Sequence, residues 1–313
     1  MRPISILVDS TSDLTADYRA RYGLDFIHSH ISVPGLGDIP APVEWKELDR
    51  EAFFADLKRR PAAYTTSPPN IGEFAEVFRK NAREGKDTIA LTLSSTISGE
   101  FNFLCKGAEQ VREEYPDCRI GCIDSRRFGP VIGLMAIYAA GLREKGLSFD
   151  EIVAALEENK CRFRQAGWLD DLSFVAKKGR ISHAKAFFGT LAGVKPIGEF
   201  GPDGLTAVLG KASGAAAAYE IMLSYLEETI ENSAERDIFI AHSQRLPQAE
   251  KYKQMIEERI HPRSVTIHEI YPINAINIGP GLMAAYYMGK PISADLSEEK
   301  ALFARLQSGI AGK

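Results

Sequence analysis

The sequence predicts an α/β protein built as two α/β domains, and three observations carry that prediction. Strand-like apolar runs alternate with helical patterns through the first half of the chain. Near residues 160–170 the pattern changes, and a hairpin followed by a second strand–helix succession takes over. A chain of 313 residues is also long for one hydrophobic core, so two domains, 1–164 and 165–313, are expected. The first reads as a mostly parallel sheet with flanking helices, the second as a mixed sheet.

The chain enters a strand near 4–8, and further strand-like runs lie near 24–33, 87–94 and 119–124. Helical patterns lie near 14–21, 49–59, 70–84, 98–115, 129–145 and 149–160. In the fourth of these, Ile97, Phe101, Leu104, Cys105, Ala108 and Val111 recur at three- and four-residue spacings and make one apolar stripe. Ser98 stands at its start, where a short hydroxyl can cap free N–H groups. Asn70 with Glu73, and Asp150 with Glu151 after Ser148, suit helix N-termini. In the second half, Trp168-Leu-Asp-Asp-Leu172 leads into a basic turn, Lys177-Lys-Gly-Arg-Ile-Ser182. Residues 194–199 and 205–209 read as a hairpin around Gly201-Pro-Asp-Gly204, where proline supplies a fixed φ and glycine a positive one. A helix at about 214–230, a strand at 237–242, a helix at 247–259, a strand at 264–270 and a glycine-led helix after Gly279-Pro-Gly281 complete the expected series.

Composition narrows the function classes. The chain is 45% hydrophobic and 26% charged with a net charge of −4, a balance without the basic stripe that nucleic acid requires. Its most apolar stretch, 131–142, has the length of a buried helix and is too short to span a bilayer. The strand at the N-terminus has no basic segment and apolar signal ahead of it, and four cysteines do not make a disulfide framework, so a cytoplasmic protein is expected. Cys118 and Cys122 share one face of a predicted strand, but no second pair stands at zinc spacing. Neither a metal nor another cofactor is expected.

Four apolar runs end in hydroxyl-rich turns: Val-Asp-Ser-Thr-Ser-Asp (8–13), Tyr-Thr-Thr-Ser-Pro-Pro (64–69), Leu-Ser-Ser-Thr-Ile-Ser-Gly (93–99) and Ile-Asp-Ser-Arg-Arg-Phe-Gly (123–129). In an open α/β sheet such loops converge on one crevice, where hydroxyls and free N–H groups suit an anionic head. Ser10, Thr11, Thr66, Ser67, Ser94, Ser95, Ser98 and Gly99 are the candidates from these turns. Proline after Ser67 pushes it out of the helical region, so these hydroxyls face a loop. Asp9 invites comparison with aspartyl-phosphate enzymes, but Thr11 stands where the haloacid-dehalogenase type wants a second Asp. The plainer reading of that turn is a cap for the helix from Leu14. The serines lack the Gly-x-Ser-x-Gly elbow of a nucleophile. His242 after a strand is a base or, more plainly, a hydrogen-bonded structural residue. His28 and His30 alternate on one strand face, where they line the crevice or form a metal pair lacking a third ligand. Arg180, beside glycine and serine, has the fork that grips carboxylate or phosphate. A hydrolase or phosphotransferase using Asp9, Ser94 and Ser95, with Arg180 or His242 assisting, is the enzymatic alternative. A third is a divergent sensor or adaptor with another ligand.

The motifs in order resemble the DegV family of bacterial fatty-acid-binding proteins over essentially the whole chain. Asp9-Ser-Thr-Ser-Asp-Leu14 is similar to the family's opening motif, and Thr66-Ser67 with Pro69 and Gly72-Glu-Phe74 to its Thr-Ser-Gln-Pro segment. Leu93-Ser-Ser-Thr-Ile-Ser-Gly99, Asp124-Ser125, Asp170-Asp-Leu172, Gly179-Arg-Ile-Ser182 and Val194-Lys-Pro-Ile197 complete the resemblance.

That resemblance implies two domains with a buried tunnel between them for one long-chain fatty acid, and a role in phospholipid metabolism. It implies that Thr66 and Ser98 hold the carboxylate, and that a fatty-acid kinase partner converts it to an acyl phosphate. No catalysis by the chain itself and no cofactor are implied. Three departures stand out. Asn277 replaces the family histidine of the His-Thr-Gly-Pro-Gly segment, which makes it the third candidate for the carboxylate. Gly210-Lys-Ala212 replaces Lys-Val-Arg, so an arginine linked to partner function is lost, with Lys211 beside it. Glu100-Phe101 follows Ser98-Gly99 where Thr-Tyr is common.

Overall fold

The computed structural model describes residues 2–170, 172–178 and 193–311. Arg180 lies outside the described residues. The chain forms two units, one of Met1–Lys160 with Tyr271–Ile276 and one of Cys161–Ile270 with Asn277–Lys313. Their division lies at 160/161, and a short segment of the late chain returns to the first unit, which a single boundary after residue 164 does not include.

In the first unit the strands are β1 (Ile4–Asp9), β2 (Leu24–Ile27), β3 (His30–Val33), β4 (Gly37–Pro40), β5 (Thr65–Ser67), β6 (Asp87–Thr92) and β7 (Ile120–Asp124). Its helices are α1 (Ala16–Tyr22), α2 (Arg50–Arg59), α3 (Ile71–Arg83), α4 (Glu100–Glu114), α5 (Val131–Glu144) and α6 (Phe149–Asn159). Four strands make a wholly parallel sheet in the order β2-β1-β6-β7. Every residue of β1 and β6 is buried, as strands covered on both faces must be. On one face Leu7 and Ala90 pack with Phe74 and Phe78 of α3 and Leu104, Ala108 and Val111 of α4. On the other, Gly121 backs onto Phe149 and Val153 of α6. Both α3 and α6 open with complete capping boxes, Asn70 with Glu73 and Ser148 with Glu151.

The expected strand at 24–33 is two strands in two sheets. β2 pairs with β1, whereas β3 lies between β4 and β5 in a three-stranded antiparallel sheet. The break falls at Ser29, whose N–H goes to Ser10 Oγ at 3.2 Å and whose hydroxyl goes to Asp9 Oδ2 at 2.5 Å. A residue so engaged by side chains leaves the ladder.

The second unit holds β8 (Phe163–Trp168), α7 (Leu172–Lys177), β9 (Val194–Phe200), β10 (Thr206–Ser213), α8 (Gly214–Thr229), β11 (Asp237–His242), α9 (Leu246–Ile260) and β12 (Ser264–Glu269). After α10 (Pro272–Ile278) come β13 (Met283–Met288) and α11 (Ser297–Ala311). The six strands run β10-β9-β8-β13-β11-β12, with β11 and β12 parallel and the other pairs antiparallel. The hairpin of β9 and β10 closes on Gly201–Leu205, with Gly204 at φ +83°. Following Gly279-Pro-Gly281 there is no helix but the strand β13, fully buried between β8 and β11. Its sequence, Met-Ala-Ala-Tyr-Tyr-Met, is apolar on both faces and so lacks the alternation that marks a strand. Inside this unit Arg164, 1% exposed, reaches Glu199 at 3.0 Å, Glu299 at 3.2 Å and the Tyr225 hydroxyl at 2.7 Å. Among the described residues no helix is long and apolar enough to cross a membrane.

Candidate functional site

The strand order of the first unit locates its crevice. From β1 the chain passes to β2 on one side, and from β6 it passes to β7 on the other. The direction of winding therefore reverses between β1 and β6, where the carboxyl ends of strands leave a ligand crevice. β1 ends at Asp9 and β6 at Thr92, so the turns 8–13 and 93–99 flank this point.

In the first turn, Ser10–Ser12 form a short 3-10 helix and Asp13 takes φ 52°. The helix that follows begins at Ala16 and is capped by Thr15, whose Oγ1 accepts the Tyr18 N–H. The Asp9–Asp13 turn is thus not the cap expected for a helix from Leu14. Its side chains point inward. Asp9 accepts the Thr11 hydroxyl on Oδ1 and the Ser29 hydroxyl on Oδ2, each at 2.5 Å. Burial pushes the Asp9 carboxyl up, opposed by those two hydroxyls. Ser10 donates to the Ala41 carbonyl at 3.3 Å. Asp13 accepts the Tyr271 N–H at 3.2 Å and the Asn274 side-chain amide at 2.8 Å, and burial raises it well above the usual carboxylate range.

In the second turn, Ser94 is buried, gives its N–H to the Arg127 carbonyl at 2.8 Å and accepts the Thr96 N–H. Ser95 is exposed and engages Asp124 of β7 twice, through its N–H at 3.1 Å and its hydroxyl at 2.6 Å. Half-buried Ser98 accepts the Glu100 N–H on Oγ at 3.1 Å, with exposed Gly99 as the N-cap of α4. The helix thus starts two residues after Ser98. Glu100 itself is fully buried, and among the described residues neither of its carboxyl oxygens has a hydrogen-bond partner. Burial and the negative charge of Asp9 push its carboxyl well above the usual range. The Leu93 N–H favours the ionised form without making a well-formed hydrogen bond.

The remaining candidates separate. Thr66, half-buried, pairs with Ile31 and exposed Ser67 with His30, both on β5. His28 and His30 do not share a strand face, because β2 ends at Ile27 and β3 begins at His30. His28 is exposed with Nδ1 3.0 Å from the Ala41 carbonyl, and His30 Nε2 lies 3.1 Å from Glu73. Among the described residues no group of three His, Cys, Asp or Glu could hold a metal ion. His242, buried at the end of β11 in the second unit, accepts the Arg245 N–H on Nδ1. Asn277, half-buried, belongs to the second unit near the end of α10. Ala212 is part of the second core, and Lys211 is exposed. The hydrogen bonds of Asp9, Ser94 and Ser95 go to separate partners, so the enzymatic constellation is not assembled by them. Sequence reasoning passed over Ser29, Asn274 and the buried Glu100. The one available signal for Glu100 was a carboxylate at the place where threonine is common.

The family model described as "Uncharacterised protein, DegV family" matches residues 3–290. The chain belongs to the DegV family. A DegV domain-containing protein of Clostridium perfringens is 32% identical over 243 residues, covering 78% of this chain and 83% of the relative. Among solved structures, a DegV family protein from Thermus thermophilus, described by its fatty-acid binding, aligns with a TM-score of 0.82 at 25% identity. That alignment covers 92% of this chain and 100% of the other. A stearic-acid-binding protein from Eubacterium ventriosum aligns with a TM-score of 0.79 at 23% identity, over 93% of this chain and 99% of that one, and shares the DegV fold.

Proposed function

We propose that this DegV protein binds a long-chain fatty acid and presents it to a kinase partner for acyl-phosphate formation, without a catalytic step of its own. The carboxylate is held by the hydroxyls of Thr66 and Ser98 and by the Asn277 amide. Ser67, Ser94, Ser95 and Gly99 lie in the same turns as Thr66 and Ser98, Ser10 and Thr11 lie in the turn after β1, and together they shape the surroundings. The observation that carries this reading is the likeness to the Thermus thermophilus fatty-acid-binding protein along almost the whole chain. The physical chemistry supports it. An acyl chain gains about 0.8 kcal/mol per buried methylene, so an apolar enclosure retains it. The carboxylate loses hydration on entry and needs donors, which hydroxyls and the first N–H groups of α4 supply without a full cation. A carboxylate so held stays reactive toward a phosphoryl donor.

Native mass spectrometry with lipid extraction tests the binding. A stoichiometric adduct of fatty-acid mass is expected, diminished in the double variant Thr66→Ala, Ser98→Ala. An adduct-free mass that persists after incubation with a panel of fatty acids rejects the reading. ATP-dependent acyl-phosphate formation only on addition of a kinase tests the partner role, and turnover of ATP or an ester by this chain alone would restore the enzymatic alternative.

A further inference from the structure

The register of α4 on β7 brings two cysteines together. Gly121 backs onto Val153 and Phe149 of α6, so Ile120 and Cys122 on either side of it face α4. Hydrogen bonds fix this register at both ends. Arg112 of α4 donates to the Ile120 carbonyl at 2.5 Å, and the Ser95 hydroxyl donates to Asp124 at 2.6 Å. Cys122 lies midway between Ile120 and Asp124, and Cys105 lies about two helical turns before Arg112 on the same stripe. The two thiols accordingly stand within hydrogen-bonding reach of one another, and Arg112 reaches the Cys122 sulfur as well.

Both cysteines are free and half-buried, so a small reagent can reach them. The other two are turned elsewhere. Cys118 is buried and donates to the Lys86 carbonyl at 3.3 Å, and Cys161 belongs to the second unit. The fold thus gives Cys122 a partner across α4 rather than its near neighbour in sequence. Among the described residues no third ligand joins the pair, which suits it to covalent chemistry between its own sulfurs rather than to a metal. Burial pushes both thiols up, Cys122 to about 12, while Arg112 acts against the rise at each. Cys105 is accordingly the thiol that attacks first.

We propose that Cys105 and Cys122 are a thiol-modification site, which a small-molecule disulfide converts into an internal disulfide tying α4 to β7. The Cys105 thiolate attacks one sulfur of the reagent; a mixed disulfide forms, the reagent's S–S bond breaks and one small thiolate leaves. Cys122 loses its proton and attacks the Cys105 sulfur. The protein S–S bond forms, the mixed disulfide breaks and a second small thiolate leaves. The two cysteine protons end on the two released thiols, and the two electrons lost by the protein reduce the reagent. The bond fastens the helix that begins two residues after Ser98 to the edge strand whose Asp124 holds Ser95. This stands apart from the fatty-acid reading.

The test treats reduced wild type, Cys105→Ser and Cys122→Ser with dithiodipyridine at about pH 8.5, where some thiolate is present. Released thiopyridone is followed by absorbance, and products by intact mass and by peptide mapping without reduction. Wild type should yield a linked Cys105–Cys122 peptide with no reagent retained at either position, and dithiothreitol should separate it again. Cys122→Ser should stop at the mixed disulfide on Cys105. Cys105→Ser should react at Cys122 at least about tenfold more slowly than wild type forms the link. Reagent retained on both cysteines of wild type overturns the proposal, as does a link from either to Cys118 or Cys161, or a Cys105 that does not react in the folded protein. The same treatment in urea should give mixed pairings. An unchanged product distribution there also overturns it, because nearness in sequence rather than the fold would then make the pair.

Discussion

Asn274 holds Asp13 across 261 positions of sequence, donating its side-chain amide to the carboxylate at 2.8 Å and to the Thr11 carbonyl at 2.9 Å. Tyr271–Ile276, which carries Asn274, groups with the first unit rather than with the sequence around it. Asn274→Ala removes both donations and should cost about 1–3 kcal/mol, read as a lower urea midpoint with unchanged slope. Asn274→Asp should be worse at neutral pH than at pH near 4, because it sets a second carboxylate against Asp13.

Glu100 also makes a prediction for stability, apart from any ligand. In the folded state its carboxyl holds a proton that the unfolded chain releases above about pH 4.3. The folded state therefore binds more protons in that window, and stability falls as pH rises through it until the folded group ionises. Glu100→Gln carries no such proton. Its melting temperature should exceed that of delipidated wild type at about pH 8 and converge with it near pH 4. Identical curves would show that Glu100 ionises normally.

Arg164 faces two buried carboxylates, Glu199 and Glu299, and also bonds the Lys290 carbonyl at 2.9 Å. Arg164→Met takes the cation from both and should cost about 3–5 kcal/mol in guanidinium unfolding. Arg164→Lys should recover only part of it, because an ammonium cannot reproduce the fork that spans β9, α8 and α11.

Two helical glycines should respond in opposite directions. A Cβ at Gly107 would stand 3.0 Å from the Ile71 carbonyl oxygen and 3.0 Å from Phe74 Cβ, where α4 meets α3. Gly107→Val should therefore destabilise by about 1–3 kcal/mol. At Gly141, within α5, a Cβ meets nothing within 4 Å, so Gly141→Ala should stabilise by about 0.5–1 kcal/mol. Thermal melts of the two variants against wild type decide the matter.

Much of the fold was legible because the helices announce themselves locally. Asn70 with Glu73 and Ser148 with Glu151 are adjacent enough to be read as caps, and the stripe of α4 follows from spacing alone. β13 was not legible, since a strand buried on both faces shows no alternation and its Met and Ala residues favour helix. The split at Ser29 was hidden for another reason: it depends on Asp9 and Ser10, some twenty residues earlier. In the site, hydroxyl-rich turns are visible as composition, and Ser94, Ser95 and Ser98 can be picked out directly. What spacing cannot give is which of them is already engaged, as Ser95 is by Asp124, or that Glu100 turns inward from a helix start where carboxylates ordinarily face water.

The return of Tyr271–Ile276 has a consequence for synthesis on the ribosome. A nascent chain of 160 residues already holds every strand of the first sheet, yet Asp13 waits for a partner encoded more than one hundred residues later. At about 5–20 residues per second that delay lasts several seconds. The first unit is begun early and sealed late, with its buried acid exposed to chaperones or to mispairing until Asn274 has been made.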